Sequence, residues 1–238
     1  MKAVFCFEAK GKFEYLHYWP WTEQGVIHGY TTATSDFSDK TALATFHSLA
    51  AAFGVKKVLY PKQVHGCSVL DLRGVDIECH GEIEADSLIF DLSASADTLY
   101  AIRTADCLPI AVVSRELATL IHAGWRGLAA GIIEETLTLI DTPVPELNVL
   151  IGPAADPRLY EVGEEVIKAL GNKAVYITAA CCKFYLDLPQ TAARIMNRYG
   201  IASDNIKIAP FATMSDVRFH SYRRLNKDAG RGALFMIA

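Results

Sequence analysis

The sequence predicts an α+β fold in one domain spanning residues 1–238. Three observations carry that prediction. Eight β-rich runs outnumber four helical patterns and do not alternate strictly with them, which argues against a doubly wound parallel sheet. Between residues 86 and 122, four strand-like runs follow one another with only short breaks, favouring antiparallel or mixed pairing. The 238 residues are 51% hydrophobic and 21% charged, enough apolar material for a large core, and no repeat, low-complexity tract or long linker interrupts them.

The elements follow in order. After Ser38-Asp39, the residues Leu43, Phe46, Leu49, Ala50 and Phe53 recur at helical spacing, and Gly54 stops the helix. Residues 55–60, 67–72, 86–90, 99–103, 110–114 and 118–122 read as strands. A second helix starts at about Gly127 and turns Leu128, Ile132, Ile133, Leu137 and Ile140 to one face. Strand 147–151 follows, then a third helix from about Val162 to Leu170 with Gly171 behind it. Leu188-Pro189 opens the fourth, where proline suits a first turn, and Ala192, Ile195, Met196 and Tyr199 form its apolar side. Strand 233–237 closes the chain.

Composition narrows the function classes. A net charge of -4 argues against a protein built mainly to hold nucleic acid, since phosphates are neutralised by Lys and Arg. No stretch approaches the ~20 apolar residues of a membrane helix. The N-terminal run from Met1 to Glu8 meets a charge too early for a signal peptide. The expected location is the cytoplasm. There Cys6, Cys67, Cys79, Cys107, Cys181 and Cys182 stay reduced, most of them as small buried hydrophobes. Nothing in the pattern demands a dimer, so a monomer is expected.

Chemistry concentrates in three segments: Lys62-Gln63-Val64-His65-Gly66, Ala105-Asp106-Cys107-Leu108-Pro109 and His122-Ala123-Gly124-Trp125-Arg126-Gly127. Together they offer two imidazoles and a thiolate. Three protein ligands is the count zinc uses when a fourth position stays open for water or substrate. The spacing is not a zinc-finger pattern; the signal lies in context, because each candidate ligand sits at a strand end or turn among Gly, Asp or Pro. Asp86 and Asp106, each an Ala-Asp beside a strand, are the carboxylates placed to orient a ligand histidine, while Glu82 and Glu84 read as surface groups. Arg126 opens a helix where an anion is favoured. Arg218, His220, Arg223, Arg224, Lys227 and Arg231 form a basic run suited to phosphate if it folds over the metal. The competing use of the same atoms is a thiol hydrolase with Cys107 as nucleophile and His122 as base. Absence of G-x-S-x-G, G-x-G-x-x-G and P-loop patterns disfavours a serine hydrolase and the common nucleotide cofactors.

Six blocks in the same order resemble the YfiH-like family, also called laccase-domain or polyphenol oxidase-like proteins and purine nucleoside phosphorylases. They are Gln63-Val64-His65-Gly66, Ala85-Asp86-Ser87-Leu88, Thr104 through Pro109, His122 through Gly127, Ile151-Gly152-Pro153 and Ser221-Tyr222-Arg223-Arg224. The resemblance runs from about residue 26 to the end. It implies two packed mixed β-layers flanked by helices, and zinc held by His65, Cys107 and His122. It also implies phosphorolysis of adenosine, inosine, guanosine or methylthioadenosine, together with adenosine deamination. Purine nucleoside and phosphate are then the partners, with no nucleic acid and no membrane. Some bacterial members are linked to peptidoglycan editing, an amide hydrolysis on a muropeptide precursor. The laccase label implies copper, which is disfavoured here because only His65 and His122 of seven histidines fall in matching motifs.

On this reading Cys107, His65, His122 and Asp106 are the catalytic set, and Arg126, Arg223, Arg224 and Arg103 bind substrate or phosphate. The chain departs from the family pattern in three places. Ala33 stands where an arginine is expected, Ala212-Thr213 replaces a Cys-Thr pair, and His220 replaces an aromatic. Arg103 is the candidate to supply the missing charge. A structural zinc would instead need a fourth protein ligand, with Cys67, Cys79 and His80 the available ones.

Overall fold

The computed structural model describes residues 4–92, 97–179 and 183–238. Cys181 and Cys182 lie outside the described residues. An amino-terminal hairpin, β1 (Phe5–Lys10) and β2 (Phe13–Tyr18), leads through α1 (Trp19–Glu23) to β3 (Ile27–Thr31) and α2 (Ala42–Ala52). Then come β4 (Lys57–Lys62), β5 (Val69–Asp71), β6 (Cys79–Glu84), β7 (Ser87–Asp91), β8 (Thr98–Thr104), β9 (Leu108–Val113) and β10 (Leu117–Ala123). Two short helices, α3 (Trp125–Ala130) and α4 (Ile132–Thr138), precede β11 (Asn148–Ile151), β12 (Glu161–Val162) and α5 (Glu164–Leu170). The chain ends with β13 (Tyr176–Ala179), β14 (Lys183–Leu186), α6 (Leu188–Arg198), β15 (Ile206–Ile208), α7 (Tyr222–Leu225) and β16 (Gly232–Ile237).

These strands build the two mixed layers. A seven-stranded sheet runs β1-β2-β3-β16-β8-β4-β6 and a six-stranded sheet runs β15-β11-β9-β10-β7-β5. Each contains parallel pairs, β4 with β6 and β8 in the first, β11 with β15 and β5 with β7 in the second. Their facing sides bury Leu59, Ile102, Leu234 and Met236 against Leu88, Phe90, Leu120 and Leu150. The outer face of the larger sheet takes Phe46 and Leu49 of α2. The outer face of the smaller takes Leu128, Ile132, Ile133, Val166 and Ile195 from α3 to α6. The result is four layers, helix, sheet, sheet and helices.

Three differences from the sequence reading have physical causes. The helix expected from Gly127 to 140 starts two residues earlier and breaks in two at Gly131. That residue takes φ 96 and ends α3 through its N–H to the Gly127 carbonyl. A left-handed residue costs glycine little, so the break re-aims α4 without strain. The β1–β2 hairpin and β3 supply three strands of the larger sheet. Their alternation of Phe5 and Phe7, and of Phe13, Tyr15 and His17, is a period-2 signal too short to stand out beside longer apolar runs. A third, antiparallel sheet of β12, β14 and β13 was not expected.

The sheet assignment explains where chemistry collects. Strands β4 and β8 belong to the larger sheet, whereas β5 and β9, which follow them, belong to the smaller. The chain therefore passes from the larger layer to the smaller at residues 63–68 and 105–107, as it also does at 85–86 between β6 and β7. Because β4 and β8 run parallel, the crossings at 63–68 and 105–107 leave the same end of the sheet. The end of β10 meets them there, since His122 and Ala123 pair with Pro109 and Leu108.

Candidate metal centre

His65 sits in the crossing at 63–68, Cys107 in that at 105–107 and His122 at the end of β10. The three ligand atoms they offer lie within 4.8 Å of one another, and the His65 and His122 rings meet edge to face with centroids 4.8 Å apart. Among the described residues this is the group of three or more His, Cys, Asp or Glu placed to hold a metal ion. His122 is buried, Cys107 half-buried and His65 exposed, so the cluster opens to solvent on the His65 side. Cys67, Cys79 and His80 do not join it; the Cys79 thiol instead donates to the Tyr60 carbonyl at 3.4 Å.

Asp86 organises two of the three segments. Its carboxylate is 0% exposed and accepts the backbone N–H groups of Val64, His65 and Gly66 at 3.2, 3.0 and 2.7 Å. That nest of N–H groups holds His65 at φ 61, a left-handed conformation that costs a non-glycine residue free energy. The same carboxylate lies 2.7 Å from His122 Nδ1, which assigns the ring proton to Nδ1 and leaves Nε2 for the cluster. Burial alone would lower the His122 pKa; its bonds to Asp86 and Cys107 outweigh this and raise it to about 9. Burial likewise pushes the Cys107 thiol up, but bonding and charge from His122 and His65 bring it down to about 6. The arrangement favours a thiolate between two imidazoles. Gly124 completes the packing, because a Cβ there would stand 2.9 Å from Cys107 Sγ and 3.4 Å from His65 Cδ2.

Asp106 serves differently from the expectation that it shares the histidine-orienting task. Its backbone is also left-handed, φ 86, and its buried carboxylate accepts from Thr213 Oγ1 at 2.5 Å and from the Arg223 N–H at 2.7 Å. Its carbonyl takes the Ala155 N–H at 2.9 Å. Asp106 thus pins the 153–156 loop and α7 beside Cys107, which places Arg223 near the cluster.

The arginines divide. Arg223 stacks on the buried Tyr160 ring at 4.6 Å, and Arg126 on Trp125 at 4.4 Å. Burial raises the Tyr160 pKa to about 12, with Cys107 pushing it further up and Arg223 and Arg126 pulling back, so all four groups share one neighbourhood. Arg224 does not point to a ligand: its guanidinium donates to the carbonyls of Thr213 and Phe219, each at 2.6 Å, and staples the 213–219 loop. Arg103 is also engaged elsewhere, on Asp39 at 2.7 Å and on the Phe37 carbonyl at 3.2 Å, so it does not replace the charge missing at Ala33. His220 is explained by its ring nitrogen, 2.9 Å from the Ser35 carbonyl. Glu84 pairs with Lys62 at the surface as expected. Sequence reasoning missed Tyr160, and it quoted Thr213 and Gly124 within motifs without giving either a role at the centre.

The loop that carries Tyr160 is tied by Asp156, which is 1% exposed and accepts from Arg158 and, at 2.8 Å, from Ser215 Oγ. The Arg158 bonds come first among the causes that hold its carboxyl down to about 2, below the unfolded value. A depressed carboxyl stabilises the fold above its unfolded pKa and loses that contribution as pH falls through its folded one. Asp156→Asn is therefore expected to cost about 1.5–3 kcal/mol at neutral pH. The gap from the unmutated protein should hold to about pH 4 and close toward pH 2, as followed by thermal melting across that range.

Comparison with known proteins agrees with this anatomy. Residues 31–238 match a family model described as multi-copper polyphenol oxidoreductase laccase. A purine nucleoside phosphorylase of Xylella fastidiosa (strain Temecula1) is 35% identical over 185 residues, covering 72% of this chain and 68% of that protein. Purine nucleoside phosphorylase YfiH of Escherichia coli (strain K12) is 35% identical over 188 residues, covering 76% and 73%. In structure, YlmD of Geobacillus stearothermophilus superposes with a TM-score of 0.85 over 98% of both chains at 24% identity, which establishes the shared fold. Among the described residues no helix is long and apolar enough to cross a membrane. The family label speaks of several coppers, yet among the described residues only His65 and His122 of the seven histidines fall in a group that could hold a metal ion. With the fold, the ligand-bearing crossings and the match over residues 31–238 in agreement, the chain belongs to the laccase-like family in which the YfiH proteins are found.

Proposed function

We propose that this chain is a zinc-dependent purine nucleoside phosphorylase with adenosine deaminase activity. The observation that carries the reading is the convergence of His65, Cys107 and His122 from two sheet crossings and a strand end. The names of the 35% identical relatives supply the substrate class. Two imidazoles and a low-pKa thiol with an open side fit a catalytic zinc, which uses three protein ligands. Bound there, zinc supplies Lewis-acid charge at the reacting centre. The chain's own residues do the rest. Asp86 keeps the Nδ1 proton of His122 and aims its Nε2. Asp106 positions Arg223 through that residue's backbone. Arg126 and Arg223, laid over the Trp125 and Tyr160 rings, hold phosphate as charged forks. Catalysis of phosphorolysis is then mainly positioning and charge stabilisation.

The test is product analysis by mass spectrometry after incubation with adenosine, with and without phosphate, beside Cys107→Ala. Adenine and ribose 1-phosphate, only with phosphate and only from the unmutated protein, are expected, with some inosine. Full activity in metal-free Cys107→Ala protein would sink the proposal. Metal analysis of the purified protein should find zinc at one per chain; copper in its place would overturn the zinc assignment, since His2Cys sites also serve copper. Arg126→Ala should raise the phosphate requirement about tenfold, the worth of one charge-assisted contact, with melting unchanged. Arg224→Ala should instead lower the melting temperature, because it removes the 213–219 staple.

The closeness of Cys107 to His122 also favours a second reading, a thiolate nucleophile with its base. A chelator separates them: it stops the zinc enzyme and leaves a thiol hydrolase active.

A further inference from the structure

A side chain outside the ligand set links the two crossings that carry His65 and Cys107. We propose that Gln63 is a positioning residue that sets the separation of these two ligands, by bridging β4 to β8 beyond the point where their backbone pairing stops. This rests on the reading of His65, Cys107 and His122 as metal ligands.

Strands β4 and β8 pair in parallel from Lys57 with Thr98 to Leu59 with Tyr100, where the paired residues end. Pro61 follows, buried, in a strand with a neighbour on each side. Proline has no N–H to put into a ladder, so it interrupts a central strand. The register of β4 with β6 also shifts between Tyr60 and Lys62. Just past this break, the Gln63 side chain takes over the pairing. Its Oε1 accepts the Arg103 N–H and its Nε2 donates to the Arg103 carbonyl, both at 2.8 Å. The two backbone partners fix which way the amide faces. A carboxamide carries donor and acceptor in one plane, as a peptide group does, so one side chain completes the edge that Arg103 turns toward β4.

The place of this bridge is what gives it a role. Gln63 stands two residues before His65, and Arg103 four before Cys107. Each crossing then turns through a left-handed residue, His65 at φ 61 and Asp106 at φ 86. Asp86 ties the 64–66 turn to His122, and Asp106 ties the Cys107 segment to Thr213 and Arg223. Neither carboxylate joins the His65 crossing to the Cys107 crossing; Gln63 does. Arg103 is a firm partner for it. Its guanidinium is held by Asp39 and the Phe37 carbonyl, and its backbone lies in β8 opposite Ala233 of β16. His65 is the exposed ligand, with the least packing of its own to hold it. Without the bridge the two crossings can spread, and imidazole and thiolate no longer converge on one ion.

The test compares Gln63→Ala and Gln63→Glu with the unmutated full chain and with Asn205→Ala, using Co2+ as the metal probe. Asn205 is the control because its amide also clamps backbone, donating to the Pro145 and Leu147 carbonyls away from the centre. Titration gives the affinity, and the thiolate-to-cobalt charge-transfer and d–d bands report the geometry around the ion. Gln63→Ala is expected to bind Co2+ about tenfold more weakly, in the range for lost support behind a metal ligand, with shifted bands. Gln63→Glu keeps the length and the acceptor but sets a carboxylate oxygen against the Arg103 carbonyl, so it should weaken binding as well. It carries the comparison if the alanine variant does not fold. Asn205→Ala should melt earlier and keep both affinity and spectrum. Gln63 variants with the affinity and spectrum of the unmutated chain, or an equal loss in Asn205→Ala, would overturn the proposal and leave the metal centre standing. No Co2+ bound by the unmutated chain would overturn the metal reading and this inference with it.

Discussion

Asp86→Ala is expected to cost about 3–5 kcal/mol of stability and to release bound metal. The carboxylate is fully buried and receives four donors, three backbone N–H groups and the His122 ring. Removing it strips all four donors of their shared acceptor, and breaking a buried pair from one side leaves the other side uncompensated. The 64–66 turn then has nothing to hold His65 at φ 61, so that ligand moves as well. One substitution outside the ligand set thereby disturbs two ligands. Metal affinity is expected to fall by at least the 10- to 100-fold typical of a lost carboxylate behind a metal-bound histidine. Asp86→Asn should fare little better. Its single oxygen cannot take four donors, and its amide would turn N–H groups toward N–H groups. Metal content after dialysis, with urea melting on the same samples, checks both effects. An Asp86→Asn protein that keeps its metal affinity and its midpoint would show that the nest does not depend on charge.

How much of this was legible beforehand follows from what a sequence can encode locally. All eight expected strands are present, because each is an apolar run bounded by turn residues. Their distribution between two sheets was not legible, since β8 and β9 both read as apolar-rich runs and nothing local says that Asp106 turns the chain from one layer to the other. His65, Cys107 and His122 stood out because loop-side histidines and cysteines among Gly and Asp are poor choices for packing. Asp86 and Asp106 looked alike, both Ala-Asp, and only tertiary pairing sends one to a histidine and the other to Thr213 and Arg223. Arg223 and Arg224 make the same point. The first stacks on Tyr160 and gives one N–H to the Glu161 carbonyl, while its neighbour is consumed by several carbonyls. A run of arginines shows available charge and not its use.

Gly124 tests whether the centre is held by shape as well as by ligand identity. Its backbone, φ -74 and ψ 170, is open to any residue, so Gly124→Ala adds no conformational strain. The added methyl would instead meet Cys107 Sγ at 2.9 Å and His65 Cδ2 at 3.4 Å. A cysteine side chain has one rotatable bond and no flexible end to withdraw, so the sulfur must leave its place between the imidazoles or the β10–α3 corner must shift. Stability should fall by about 1–3 kcal/mol, the usual cost of overpacking. Function should fall much further, because a site displaced by more than ~0.5 Å no longer meets its working geometry. Gly131→Ala is the matched control. It forces an alanine to φ 96 at the α3–α4 break, where the added carbon would meet only Glu134. That variant should lose about 1 kcal/mol or more and retain metal and turnover. Stability loss with function kept at Gly131, and function lost out of proportion to stability at Gly124, is the pattern expected if the glycine after the ligand strand exists to let sulfur and imidazole approach. Equal losses at both positions would reduce Gly124 to an ordinary corner.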